Sequence, residues 1–359
     1  MPIAPDFRAL PKVLLHEHLD GGLRPATLFD LLQRRGIASP APTVEALRDW
    51  LGARANAGSL VEYLRGFDLT VAAMASLDAM ERVAFEAVQD AHAAGCVLAE
   101  FRMAPILFEP HGISADDATA ALAAGLKRGT AATGVPAGLI VCGMRQQSEA
   151  EVGHSADVAL RHRDDGVIAF DLAGPEAGFP ATLHARTLAR LRDAGLPLTL
   201  HAGEADVAER VLEAAELGAT RIGHGVRLAD ALGDPARRHL VDEAIGRDLH
   251  LEVCPTSNVH TGAAASIATH PIRALWDAGV SLSYHTDNAL ISQISMDVEA
   301  SHLVTQAGFD VNDLLRMALM AAAHSFLPEA ARAQARATIL AFSRAGRTDA
   351  TERAAVRTP

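Results

Sequence analysis

Short apolar, β-branched runs recur at 13–19, 97–104, 137–144, 167–174, 197–204, 221–225, 250–258 and 280–288. Each has the length of a buried strand. The stretches between most of them carry apolar positions at helical spacing, such as Leu183, Thr187, Leu188 and Leu191 in 182–194, or Val207, Val211, Leu212 and Ala215 in 204–217. Eight strands alternating with helices predict an α/β chain closed into a (β/α)8 TIM barrel rather than an open sheet. The interval 20–96 is longer and predicts helices over 25–35, 43–53 and 60–94, an insertion after the first strand that lies at the barrel's C-terminal mouth. Extra helices are predicted after the eighth strand, over 296–307, 311–325 and 329–344. With no internal repeat or low-complexity linker, residues 1–344 form one domain in this reading. The polar, aromatic-free tail 345–359 is expected to be loose.

Composition narrows the picture. The 359 residues fit a barrel of roughly 250 residues with insertions. Hydrophobic residues make up 49% but aromatic ones only 4%, so the interior must be built from Ala, Leu and Val, as suits helices on a parallel sheet. Acids outnumber Lys and Arg 44 to 32, for a net charge of −12, which argues against a nucleic-acid surface and favours a small neutral or cationic substrate. Cys96, Cys142 and Cys254 are scattered and odd in number, which fits free thiols in a reducing cytoplasm. No charged start followed by an apolar stretch and no run of roughly 18 apolar residues occurs, so neither export nor a membrane partner is expected. Oligomeric state is not legible.

The chemistry gathers at the ends of the predicted strands. His16-Glu17-His18-Leu19-Asp20 closes the first, and two histidines at i, i+2 of a strand point the same way. His201-Ala202-Gly203-Glu204, Gly223-His224-Gly225 and His285-Thr286-Asp287-Asn288 close later ones. In a barrel these ends share one mouth. His16, His18, His201 and Asp287 offer three imidazole nitrogens and a carboxylate oxygen, a set suited to Zn²⁺ with an added water. Glu204, over a turn that opens a helix, is a candidate proton donor if burial raises its pKa, or else an acid favoured by the helix dipole. His224, flanked by glycines, is a candidate base or electrostatic partner for the attacking water, with a fourth nitrogen ligand as its competing role. Asp20 can accept a hydroxyl hydrogen bond from substrate or cap the next helix. Gly174 gives a ligand access to a backbone N–H or is a turn glycine. Asn288 can donate from its amide in any protonation state. Glu17 and His285 alternate away from these positions, and the remaining histidines, His260 and His270 among them, carry no such signal.

These residues resemble the adenosine deaminase family, through Leu15-His16-Glu17-His18-Leu19-Asp20-Gly21, Ser59-Leu60, Asp171-Leu172-Ala173-Gly174, His201-Ala202-Gly203-Glu204, Ile222-Gly223-His224-Gly225, Cys254-Pro255-Thr256-Ser257-Asn258 and Thr286-Asp287-Asn288. The resemblance spans Pro11 to about Pro328. It implies a zinc on His16, His18, His201 and Asp287, with Glu204 protonating purine N1, His224 assisting the attacking water, and Gly174, Asp20 and His18 on the substrate side. Binuclear hydrolases of similar barrels bridge two metals with a modified lysine on a central strand. The only lysines, Lys12 and Lys127, are not so placed, and one Zn²⁺ per chain is expected. The chain departs from the family pattern where Asn288 replaces a second Asp, as in an actinobacterial-type subgroup. The family's carboxyl group there contacts N7 and must be protonated to donate, whereas an Asn donates as it stands.

The expected function is hydrolytic deamination of a 6-aminopurine nucleoside, adenosine or 2′-deoxyadenosine, releasing inosine or 2′-deoxyinosine and ammonia. The rivals are deamination of adenine, a modified adenosine or aminodeoxyfutalosine, a metal-dependent ester or amide hydrolase, and a silent barrel that only binds metal or nucleoside.

Overall fold

Eight parallel strands surround the core of the computed structural model, which describes residues 6–55 and 66–355. They are β1 (Lys12–Leu14), β2 (Cys96–Met103), β3 (Ala137–Met144), β4 (Val167–Ala173), β5 (Thr199–Ala202), β6 (Arg221–His224), β7 (His250–Val253) and β8 (Ser281–Tyr284). β1 to β4 pair in order, as do β5 to β8. The halves meet at a parallel bridge between Phe170 and Leu198. The ring closes where Asp287 N–H donates to the His16 carbonyl at 2.9 Å and His18 N–H to the Asp287 carbonyl at 2.7 Å. The strands are buried on both faces, as expected for a parallel barrel wrapped in helices.

Helices begin where the sequence supplies a cap. Ser76, Ser114 and Ser148 each accept a backbone N–H from the first turn that follows, and Ser148 with Glu151, like Asp310 with Asp313, forms a reciprocal capping box. The insertion after β1 contains Pro25–Arg34, Val44–Ala55, Phe67–Met74 and Leu77–Ala93. The helix expected over 60–94 is thus broken at Ala75, with Ser76 capping its second part, and the Ser59-Leu60 motif lies outside the described residues. The last helix, Glu329–Ala355, runs on past Arg344, through the first part of the tail 345–359 that was expected to be loose.

Several runs read as long strands are shorter. β1 stops at Leu14, so His16 and His18 sit beyond it in an extended segment held by isolated bridges, not within a strand. The run 250–258 turns into the helix Pro255–His260, with Pro255 in its first turn, and 280–288 ends its strand at Tyr284. Two helices also start late: Ala185–Asp193 after a 3-10 turn, and Glu209–Glu216 after an irregular stretch. Leu183 and Val207, read as inward positions, are therefore 54% and 48% exposed.

Charge runs through the barrel interior. Arg102 of β2 reaches Asp171 of β4 at 2.7 Å and Glu252 of β7 at 2.5 Å, while Arg221 of β6 reaches Glu252 and Glu100 at 2.6 Å each. All five side chains are fully buried. Burial pushes the Glu252 carboxyl up, but the Arg221 and Arg102 charges and a hydrogen bond from His16 override it and hold it well below its ordinary 4.5. Glu100 also accepts Ser325 Oγ and the Phe326 N–H at 2.6 Å, tying the segment after Val311–His324 to the barrel floor. Replacing Arg221 by Met should cost about 3–5 kcal/mol, because two buried carboxylates lose a partner. Urea unfolding measures this. Because the folded Glu252 pKa is depressed, the network's contribution is complete above pH 4.5 and declines as the pH falls further.

Candidate metal centre and active site

Four donor atoms meet at the C-terminal mouth: one ligand atom each from His16, His18, His201 and Asp287, all within 4.8 Å of one another. Buried carboxylates aim two of the rings. His16 Nδ1–H donates to Glu252 Oε2 at 2.9 Å, and His201 Nδ1–H to Asp171 Oδ2 at 2.9 Å. Each ring then presents the Nε2 lone pair. His16 Nε2 is buried without a hydrogen-bond partner, His18 Nε2 lies 3.2 Å from His201 Nε2, and Asp287 Oδ1 lies 3.3 Å from His16 Nε2 and 3.5 Å from His18 Nε2. Lone pairs so converged repel one another unless a cation sits among them, so the donor set fits a metal ion. Ser257 Oγ donates to Asp287 Oδ2 at 2.6 Å and leaves Oδ1 for the cluster.

A second grouping replaces His18 and His201 with His224 and Cys254. It fits less well. Burial first, and the charge of Asp287 next, push the Cys254 thiol well above its ordinary range, so it stays protonated and is a poor donor. His224 Nδ1 accepts from the Asn258 amide at 3.0 Å. Since the first grouping supplies four donors without it, the role of fourth nitrogen ligand that the sequence left open for His224 is not needed.

Local backbone brings these groups together. His224 and Asp287 both have φ of +62°, left-handed positions that non-glycine residues rarely adopt. A Cβ on Gly223 would come within 3.0 Å of His16 Cε1 and 3.1 Å of the His201 Cα, so glycine there lets the two histidines pack against β6. The loop after β5 wraps around a buried carboxylate, as the backbone N–H groups of Gly203, Glu204, Ala205 and Asp206 all donate to Glu176. This fixes Glu204, whose Oε2 faces His224 Nε2 at 3.6 Å.

Beside the donors lies a cavity of about 480 Å³, a volume typical of small-molecule sites. His18, Asp20, Gly174, His201, Glu204, His224, Asp287 and Asn288 line it, with apolar walls from Val71, Leu107 and Met144. Every residue singled out from the sequence borders it except His16, which lies beneath. Burial pushes the Asp20 carboxyl up to about 7, and its Oδ1 has no hydrogen-bond partner. Asn288 Oδ1 is likewise unpartnered and packs on Gly21. Glu17 bonds Thr286 Oγ1 and the Ala289 N–H, and His285 accepts the Leu15 N–H at 3.1 Å. Neither reaches the cavity. Lys12 is buried at the start of β1 with its Nζ on the Leu10 and Ala94 carbonyls, far from any bridging position.

Glu252, Glu176 and Thr261 escaped the sequence reading, and Asp171, Ser257 and Asn258 stood in it only as members of motifs, with no role assigned. For two of them a signal existed: Asp171 and Glu252 are single acids inside apolar runs, Phe170-Asp171-Leu172 and Leu251-Glu252-Val253, and a buried charge requires a partner.

A parallel barrel carrying such a donor set at its mouth, with a buried Glu and His alongside, is a metal-dependent hydrolase. The adenosine deaminase family model matches residues 11–341. Adenosine deaminase of Mycobacterium tuberculosis is 42% identical over 339 residues, covering 91% of this chain and 92% of its own. Among solved structures, an amidohydrolase from Burkholderia ambifaria with bound Zn aligns with a TM-score of 0.85 at 26% identity over 98% of this chain and 96% of its own. Adenine deaminase from Arthrobacter aurescens gives 0.81 at 26% identity, over 94% and 100%. The chain belongs to the adenosine deaminase family and is a metal-dependent hydrolytic deaminase.

Because the donors repel one another when empty, chelation should lower the thermal unfolding midpoint and added Zn²⁺ should restore it. At free zinc of about 1,000 times Kd the gain is about 4 kcal/mol. An unchanged midpoint in calorimetry would count against the assignment of this cluster as the metal site.

Proposed function

We propose that this chain uses one zinc ion, held by His16, His18, His201 and Asp287, to deaminate adenosine and 2′-deoxyadenosine to inosine and 2′-deoxyinosine with release of ammonia. The observation that carries the reading is the Glu204–His224 pair at 3.6 Å beside the convergent donors and facing the cavity. When bound, zinc lowers the pKa of a coordinated water from 15.7 toward about 7, so hydroxide attack is available at neutral pH. The remaining work falls to the chain. Glu204 delivers a proton to purine N1, which makes C6 electrophilic and gives a tetrahedral carbon on attack. One proton of the attacking water restores Glu204, the other passes to the amino group, and the C6–N bond breaks to release ammonia as the 6-oxo group forms. His224 and Asp287 orient the attacking oxygen and stabilise charge that develops on it. Burial of Glu204 and His224 keeps bulk water away from the transferred proton.

Contacts to the substrate follow from the cavity wall. With Asn288 Oδ1 packed on Gly21, its NH2 group is the end left to donate to purine N7. Gly174, whose φ of +98° and missing Cβ make room for the Gln146 side chain, lines the cavity and can offer its backbone to the purine, while Asp20 accepts a ribose hydroxyl and His18 borders the sugar side. Among the described residues the lining contains Asp20, Asp68, Glu204 and Asp287 but no Lys or Arg, which favours a nucleoside over a nucleotide, since a phosphate would meet four carboxyl groups and no ammonium or guanidinium. Three free, buried cysteines support a cytoplasmic setting.

The test is ammonia release and product mass from zinc-loaded protein given adenosine, 2′-deoxyadenosine, adenine, aminodeoxyfutalosine and AMP. Adenosine and 2′-deoxyadenosine should be turned over and AMP should not. Turnover of adenine alone would move the substrate, and silence on every compound would overturn the reading. Glu204→Gln should retain zinc and lose at least about 10²–10⁴ in kcat, the usual range for a general acid.

A further inference from the structure

Behind the Glu204–His224 pair lies a buried polar chain that the reaction scheme does not use. The helix Ile272–Asp277 leaves its first N–H groups without intrahelical partners, and the Ile272 N–H donates to His270 Nδ1 at 3.0 Å. A backbone amide can only donate, so His270 Nδ1 is the lone-pair nitrogen and the proton of the neutral ring sits on Nε2. That Nε2–H faces Asn258 Oδ1 at 3.3 Å, which turns the NH2 end of the Asn258 amide to the other side. There Nδ2 donates to His224 Nδ1 at 3.0 Å and to Glu204 Oε1 at 3.4 Å, and Thr261 Oγ1 donates to the same Oε1 at 2.9 Å. Asn258 is fully buried, and His270, His224 and Glu204 are at most 4% exposed.

We propose that Asn258, oriented by His270, is a positioning residue that fixes which atoms of His224 and Glu204 carry protons. With Nδ1 occupied as an acceptor, neutral His224 holds its hydrogen on Nε2, the nitrogen that faces Glu204 Oε2 and the cavity. With Oε1 accepting two hydrogen bonds, a protonated Glu204 holds its hydrogen on Oε2. His224 therefore meets the attacking oxygen as a hydrogen-bond donor and Glu204 presents its acid proton toward substrate. The direction of the whole chain is set by a backbone N–H, a group that does not titrate. Burial also pushes His270 down to about 3, which keeps that ring neutral and its polarity fixed. Neither Asn258 nor His270 belongs to the four-donor grouping or lines the cavity.

The catalytic half of this inference rests on the deaminase reading, and the test separates the two. Zinc-loaded protein labelled with ¹⁵N-histidine reports each imidazole tautomer by NMR, with His224→Gln used only to assign its signals. In the unmodified protein His224 should be protonated on Nε2 and bare on Nδ1. His270→Leu frees the amide to rotate and should mix the His224 tautomers, lowering kcat about 10- to 100-fold, the usual effect of losing such a supporting bond, with KM little changed and zinc retained. His270→Gln keeps an N–H donor and should recover most of that loss. Asn258→Asp has the same shape but only accepts, so His224 Nδ1 should become protonated. A proton on Nδ1 in the unmodified protein overturns the proposal, as does an unaltered tautomer in both His270→Leu and Asn258→Asp. If no aminopurine is turned over, the functional reading fails while the spectra still decide the relay.

Discussion

The grip of buried carboxylates on the far nitrogens of His16 and His201, two of the four convergent donors, is the constraint from which the rest of the molecule follows. Glu252 holds His16 and Asp171 holds His201, and Arg102 bridges the two carboxylates at the centre of the barrel. An imidazole held at Nδ1 can rotate little, so Nε2 points into the donor cluster. The carboxylates in turn tolerate burial only because Arg102 and Arg221 neutralise them, and Arg221 continues the lattice to Glu100 and the segment after β8. Core and catalytic centre are one charged framework.

That framework also holds strained backbone in place. Left-handed φ at His224 and Asp287 costs about 1–3 kcal/mol each and persists only where surrounding bonds over-determine it. Asp287 is held by backbone bonds to both His16 and His18 and by Ser257 on its side chain, and His224 by pairing in β6 and by Asn258. Short strands serve the same end. Because β1, β7 and β8 stop early, the chain turns inward across the mouth and carries its functional side chains over the cavity.

Much of this was legible beforehand, and the pattern of success has a physical reason. Eight apolar runs separated by helical periodicity describe a parallel barrel whatever its sequence detail, and polar residues ending such runs must collect at one mouth, so His16, His18, His201, Glu204, His224, Asp287 and Asn288 could be named together. What sequence could not supply was direction within a side chain. That His16 bonds through Nδ1 to a residue of β7, or that Asn258 faces His224 with its nitrogen, depends on contacts between distant segments. His270, dismissed as one histidine among many, acquires meaning only once the Ile272 N–H is seen to fix its tautomer. Strand ends were misjudged for a related reason: periodicity cannot distinguish a strand from the extended arm that follows it when both are buried.

The seam of the barrel has a temporal consequence. His16 and His18 follow the first strand and Asp287 follows the last, and the same two backbone bonds that close the ring set them side by side. A growing chain that has not yet released its eighth strand holds neither a closed barrel nor a complete donor set. On the proposed ligand set, metal capture would be a late event in the life of each molecule, and an ion bound there would staple the two ends of the fold against reopening.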